Sequence, residues 1–133
     1  MIYEILDSGI YSKGDLQSEW LNLEAYNPAL IGMLRALRFG LHTNLIVTDI
    51  FRDDPKSTHH YWRAVDLRIF NSERKVDSRF SGQHLDDLHR ALADLATMFY
   101  YDPDHNVYRV HGQGLNRHAH LQTKGTGPWT QTQ

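Results

Sequence analysis

Two segments with helical periodicity are separated by segments with strand character, and this order limits the fold more than any other feature of the sequence. Residues 28–39 and 84–100 each carry large apolar side chains at the spacing of one helical stripe. Asn27 is a typical N-cap for the first of these helices, because its side-chain oxygen accepts a hydrogen bond from the first turn, and Pro28 suits the first helical position. Gly40 is placed to end that helix in a left-handed conformation.

Four segments are predicted to form strands. Residues 44–51 are rich in β-branched side chains, and residues 63–70 alternate polar with apolar side chains. Residues 107–111 and 118–122 are two short strands around a glycine-containing turn. The order of helices and strands predicts a small α+β domain in which helices pack on one face of an antiparallel sheet.

Length and composition bound the class of protein. A chain of 133 residues with 41% hydrophobic residues suits one globular domain, which we expect over residues 1–122, followed by a polar tail over 123–133. A net charge of −2 lacks the basic signature of nucleic-acid binding, so no nucleic-acid partner is expected. The sequence has no apolar run long enough to span a membrane and no secretory signal. We therefore expect no membrane partner and a chain that is made and kept in the cytosol.

Histidine is the unusual component of this sequence: there are nine, and no cysteine, which excludes disulfides and thiolate metal ligands. His118 and His120 are two residues apart on a predicted strand, so their side chains point to the same face. His59 precedes Asp66 by seven residues, across a loop-to-strand segment that can curl so that both meet one metal ion. Two imidazoles and one carboxylate suit a zinc site with an open fourth position.

The segment that contains these residues resembles a known family. The run Ser57-Thr-His-His-Tyr-Trp-Arg-Ala-Val-Asp66 is similar to the Ser-x-His-x-x-Gly-x-Ala-x-Asp motif of zinc D-Ala-D-Ala carboxypeptidases and phage endolysins, and His118-Ala-His120 resembles the closing His-x-His strand of that superfamily. The resemblance covers about residues 28–122 and implies a hedgehog/DD-peptidase fold. It also implies a zinc cofactor and a peptidase that cuts peptidoglycan stem peptides or muropeptides, as a carboxypeptidase or an endopeptidase.

The motif assigns a set of zinc ligands by position. His59, Asp66 and His120 match the three ligands of the family. His60 is the neighbour that a shift of one residue would select instead of His59. A chain of this kind without a signal segment would suit a phage or prophage endolysin that reaches the cell wall at lysis.

The resemblance also assigns residues that contact the substrate. Arg52 matches the arginine that ends the family's Ser-Gly-Tyr-Arg strand, and it would bind the substrate or stabilise an oxyanion. Ser57 matches the motif serine, which contacts the substrate. Trp62 replaces the motif glycine and is expected to form a wall of the cleft. The pair formed by Asp49 and Ile50 replaces the Gly-Tyr before the arginine.

The general base is the main departure from the family. Many family members carry a glutamate three residues before the last ligand, where this chain has Arg117. His118 is then the candidate base, with His111 as the second choice. Two alternatives stay open: a non-catalytic zinc-containing binding domain of the same fold, and an unrelated domain whose histidines are incidental.

Overall fold

A computed structural model of the chain describes residues 3–80, 82–95, 110–111 and 118–123. Its strands are β1 (Tyr3–Asp7), β2 (Ile10–Lys13), β3 (Leu45–Asp49), β4 (Ala64–Arg68), β5 (Val110–His111) and β6 (His118–Gln122). Its α-helices are α1 (Gln17–Tyr26), α2 (Pro28–Leu41) and α3 (Gly82–Leu95). The end of the second predicted helix, the start of the third predicted strand and residues 124–133 of the predicted tail lie outside the described residues. Thr123, the first residue of the predicted tail, is buried, and its backbone N donates a hydrogen bond to Arg63 O at 2.8 Å.

The strands form one sheet in the order β1-β2-β3-β4-β6-β5, so the domain is mixed α+β as predicted. Neighbouring strands run antiparallel except for β2 and β3, which are parallel. The expectation of a wholly antiparallel sheet is therefore wrong at this one pair. The physical reason is the connection, because α1 and α2 separate the two strands along the chain and a helical crossover returns the chain to the same end of the sheet. The sequence had not predicted β1, β2 or α1.

One apolar core lies between the helices and one face of the sheet. Alternate residues of the neighbouring strands β4 and β6 point into it, namely Val65 and Leu67 from β4 with Ala119 and Leu121 from β6. All three described helices contribute to the same cluster through buried residues that include Trp20, Leu23, Leu30, Leu34, Leu37, Leu85 and Leu92. The intervening residues of β4 and β6 face the other side of the sheet, because side chains alternate along a strand. That second face carries the candidate site.

Helix α2 begins where predicted and ends later. The Asn27 side chain accepts a hydrogen bond from Leu30 N at 3.3 Å, which confirms it as the N-cap. The left-handed residue at the C-terminus is His42 (φ 53°), so the prediction of Gly40 as the cap is wrong. Gly40 lies inside the helix, where a Cβ atom would sit 2.5 Å from Leu88 Cδ1 of α3. A glycine there lets the two helices approach closely.

The described helices are short elements of a layered domain. None of them is both long enough and apolar enough to cross a lipid bilayer.

Candidate metal centre

The three predicted ligands meet on the face of the sheet opposite the core. Asp66 on β4 pairs directly with His120 on β6, and His59 reaches them from a short 3-10 helix over Thr58–Tyr61. The Asp66 Oδ1 atom lies 3.2 Å from His59 Nε2 and 3.0 Å from His120 Nδ1. All three side chains are buried, and each offers one ligand atom within 4.8 Å of the other two. Such a group can hold a metal ion.

The His59 ring is oriented by a backbone carbonyl. Its Nδ1 atom lies 2.9 Å from the carbonyl oxygen of Ile50, which can only accept a hydrogen bond, so Nδ1 carries the proton. The lone pair is then on Nε2, the atom that faces Asp66. Nε2 is buried and has no hydrogen-bond partner of good geometry among the described residues. An imidazole held in this tautomer by an N–H···O=C bond is the arrangement that metal-binding histidines commonly have.

The His120 ring lies between two acceptor oxygens. Its Nε2 atom is 2.5 Å from Gln122 Oε1, and its Nδ1 atom is 3.0 Å from Asp66 Oδ1. The same Gln122 oxygen accepts a hydrogen bond from Thr58 Oγ1 at 3.2 Å. A neutral imidazole has one proton and can donate to only one of these oxygens. A cation between Nδ1 and the carboxylate satisfies the other contact, so the donor set fits a metal ion.

Charge in this cluster is concentrated on Asp66. Burial by itself would raise the pKa of this carboxyl group, but the adjacent imidazoles of His120 and His59 outweigh burial and lower the pKa below its usual range. Burial by itself would lower the pKa of His59, but the adjacent carboxylate of Asp66 outweighs it and raises the pKa. The carboxylate therefore stays ionised at neutral pH and attracts a cation into the cluster.

Two further predicted residues flank Asp66 at its second oxygen. Arg52 Nη2 lies 3.5 Å from Asp66 Oδ2 and 2.5 Å from Asp49 Oδ2, and the Arg52 side chain is half exposed. His118 Nε2 lies 3.7 Å from the same Asp66 oxygen, and its side chain is a quarter exposed. Both residues thus combine proximity to the candidate ligands with access to solvent.

Ser57 and Trp62 bracket the 3-10 helix that carries His59. The Ser57 hydroxyl accepts a hydrogen bond from His59 N at 3.2 Å and caps this helix, so its described contact is structural. Trp62 ends the helix in the left-handed region, at φ 59°. This is the position where the similar motif has glycine, which adopts that region without strain. The Trp62 ring stacks on Phe51 with centroids 5.0 Å apart and contacts Tyr26 at 5.6 Å. Substrate binding by Ser57 and Trp62 stays a prediction.

His60 is the alternative ligand and His111 the alternative base. His60 lies outside the cluster, and only the backbone of His111 is described. His60 Nδ1 lies 3.3 Å from the carbonyl oxygen of Arg52, and His60 is not in the group of candidate ligands. The geometry therefore selects His59. His111 lies opposite His118 in the pairing of β5 with β6, which keeps it near the site along the backbone.

Three residues of the site were missed as functional residues. Gln122 follows His118 and His120 at the same two-residue spacing, so strand alternation could have found it. Asp49 was noted as a departure from the motif, with no signal for a role. The contribution of Ile50 is its carbonyl group, which no side-chain pattern reveals.

No family model, curated protein or solved structure matches this chain.

Proposed function

We propose that this protein is a zinc-dependent peptidase that hydrolyses peptide bonds in D-amino-acid-containing stem peptides of peptidoglycan. The observation that supports it most directly is the buried group of His59, Asp66 and His120, with the His59 tautomer already set for a metal ion. The class of substrate comes from the resemblance of the Ser57–Asp66 and His118–His120 segments to zinc peptidase motifs.

The donor set favours zinc among the common metal ions. Two imidazole nitrogens and one carboxylate oxygen are the ligands of many catalytic zinc sites, and three protein ligands leave room for water or substrate. Calcium and magnesium prefer oxygen ligands. Zinc bound in such a site acts as a Lewis acid toward a peptide carbonyl and makes water more acidic.

His118 is the proposed general base. Its ring is partly exposed and is 3.7 Å from Asp66 Oδ2, beside the ligands without being one of them. In the proposed reaction a water oxygen bonds to the carbonyl carbon while His118 accepts a proton from that water. The carbon–nitrogen bond then breaks, and His118 returns the proton to the leaving amine. His111, opposite His118 in the sheet, is the alternative base.

Arg52 supplies positive charge next to the reacting carbonyl. Its guanidinium group lies 3.5 Å from Asp66 and is half exposed, so a substrate oxygen can approach it. Hydrogen bonds from this group would stabilise the negative charge that develops on the carbonyl oxygen. Trp62 and Ser57 complete the proposed substrate contacts, with Trp62 and its stacked partner Phe51 forming an aromatic wall.

A second candidate function is a non-catalytic zinc-binding domain. The feature that favours it is Arg117, which occupies the position where many related peptidases have a glutamate base. In that case the zinc would be retained for stability, because metal binding contributes to folding free energy.

Elemental analysis of protein purified without chelator tests the metal. We expect about one zinc per chain, lost in His59→Ala and in His120→Ala and retained in His60→Ala. His60 is the matched control, because it is adjacent to a ligand and outside the cluster. A wild-type protein that takes up no zinc, even from excess metal, would refute the proposal.

Hydrolysis of defined muropeptides, followed by mass spectrometry, separates the two candidate functions. The peptidase predicts zinc-dependent cleavage that falls about 10²–10⁴-fold in His118→Ala, since this is the usual contribution of a general base. The variant should keep its zinc. Full zinc occupancy without cleavage of any stem peptide would favour the binding domain.

A further inference from the structure

A second carboxylate, Asp49, holds the arginine of the site. Asp49 is the last residue of β3 and pairs across the sheet with Asp66. Its Oδ2 atom is 2.5 Å from Arg52 Nη2, which is 3.5 Å from Asp66 Oδ2. The same Asp49 oxygen is 3.8 Å from His59 Nδ1. One guanidinium group therefore lies between two carboxylates at the edge of the candidate metal centre.

This arrangement changes what Arg52 can bind. A bidentate arginine–carboxylate pair is the strong interaction by which an arginine recognises a substrate carboxylate. Here the Asp49 carboxylate already contacts one terminal nitrogen of the guanidinium, Nη2, and it stays next to any anion that approaches. A substrate carboxylate would meet like-charge repulsion from Asp49 and, to pair with both terminal nitrogens, would have to displace its contact. A neutral peptide carbonyl avoids this repulsion and needs only one of the five N–H donors of a guanidinium group.

We propose that Asp49 is a specificity-determining residue that directs this site toward peptide bonds not followed directly by a free carboxylate. By keeping a negative charge beside Arg52, it favours internal bonds of the stem peptide over the terminal bond that a carboxypeptidase cleaves. This inference rests on the proposed peptidase function and deepens it. It makes the protein an endopeptidase.

A pair of substrates that differ by one charge tests the inference. One stem peptide ends in a free D-alanine acid, and the other carries the same sequence with a C-terminal amide. We expect the kcat/KM of the zinc-loaded wild type to be higher for the amide than for the acid. Asp49→Asn should shift the amide-to-acid ratio at least tenfold toward the acid, because it removes the charge that opposes a substrate carboxylate.

Asp53→Asn is the matched control, because it removes one negative charge from a side chain that is 91% exposed and keeps the contact between Asp49 and Arg52. We expect the amide-to-acid ratio of kcat/KM for this control to stay within twofold of the wild-type ratio. Asp49→Glu keeps the charge and should keep the preference for the amide. Zinc content and thermal unfolding of each variant verify that the site is intact.

Each result has a defined meaning. A wild-type preference for the acid overturns the inference, whatever the variants do. An unchanged ratio in Asp49→Asn also overturns it, and both of these results leave the peptidase function standing. Cleavage of neither peptide by the zinc-loaded wild type overturns the proposed function together with the inference.

Discussion

Replacing Gln122 with methionine tests whether the hydrogen-bond partner of His120 matters for the proposed binding of zinc. Gln122 Oε1 accepts hydrogen bonds from His120 Nε2 at 2.5 Å and from Thr58 Oγ1 at 3.2 Å. Methionine is of similar length and lacks the amide oxygen. The variant thus leaves the buried N–H of His120 without its acceptor and removes the contact that places the proton on Nε2.

The expected magnitude follows from these contacts. Losing the hydrogen-bond partner of a metal-binding histidine weakens metal affinity by about 10–100-fold. That factor corresponds to about 1.4–2.7 kcal/mol. It agrees with the cost of leaving one buried donor unsatisfied, which is about 1–3 kcal/mol. Gln122→Met should therefore bind zinc between one and two orders of magnitude more weakly than the wild type.

Competition with a chromophoric chelator measures this affinity directly. Gln122→Glu is the informative companion, because a carboxylate also accepts from Nε2 and makes the imidazole more basic. We expect it to bind zinc at least as tightly as the wild type. Thr58→Val removes the other donor to the same oxygen and should have the smaller effect. Gln17→Met, at an exposed glutamine, controls for the substitution itself.

The reasoning would be refuted if Gln122→Met bound zinc within twofold of the wild type while remaining folded. That result would mean that His120 does not depend on Gln122 for its orientation. A loss of affinity equal in Gln122→Glu and Gln122→Met would refute it as well, because it would point to packing rather than to the acceptor oxygen.

Two further predictions concern the scaffold. The buried Asn27 caps α2, and its Nδ2 atom donates to Trp62 O at 2.8 Å and to Thr123 Oγ1 at 3.0 Å. Asn27→Ala should therefore lower the free energy of unfolding, measured in denaturant, by about 2–4 kcal/mol. A loss below about 0.5 kcal/mol would contradict this role. The hydrogen bond from Arg79 holds the pKa of Asp77 below its usual range. This carboxylate therefore stabilises the fold at pH values above its unfolded-state pKa, and the stabilisation is lost as the pH falls through its folded-state pKa. The unfolding free energy of Asp77→Asn should therefore fall less than that of the wild type between pH 6 and pH 3, and parallel curves would show that the pair contributes nothing.

The candidate ligands could be predicted because their spacing carries the information. A pair of histidines two residues apart on a strand must share a face, and the segment from His59 to Asp66 is short enough to curl onto one ion. The contacts that surround the candidate ligands could not be predicted in this way. The pairing of Asp49 with Asp66 and the approach of Arg52 depend on how β3 and β4 align, including an irregularity in their register. No spacing within one segment reports such an alignment.

The N-terminal elements were missed because their apolar pattern is weak. Helix α1 buries only Trp20 and Leu23, while Leu21 is 64% exposed, so no continuous stripe marks it. Strand β1 has no fully buried residue, and its Ile5 is exposed. Strand β2 has only four residues. The parallel pairing of β2 with β3 is a tertiary property that local periodicity does not contain.

The end of α2 shows how a glycine can mislead. Gly40 was expected to provide the left-handed cap, yet His42 adopts that conformation and Gly40 provides the space for Leu88. Conversely, Trp62 adopts the left-handed conformation, although tryptophan is not a residue that favours it. Sequence identifies residues that tolerate this conformation, but the packing of neighbouring elements decides which residue takes it.

The register of β4 against β6 has a consequence for how such a chain tolerates insertions. Asp66 and His120 form one cross-strand pair, and the flanking pairs Val65–Leu121 and Leu67–Ala119 point into the core. A one-residue insertion within either strand would turn the ligands inward and the apolar residues outward in the same step. Changes of length should thus accumulate in the connections and be excluded from these two strands, so that variants of this domain would keep or lose core and site together.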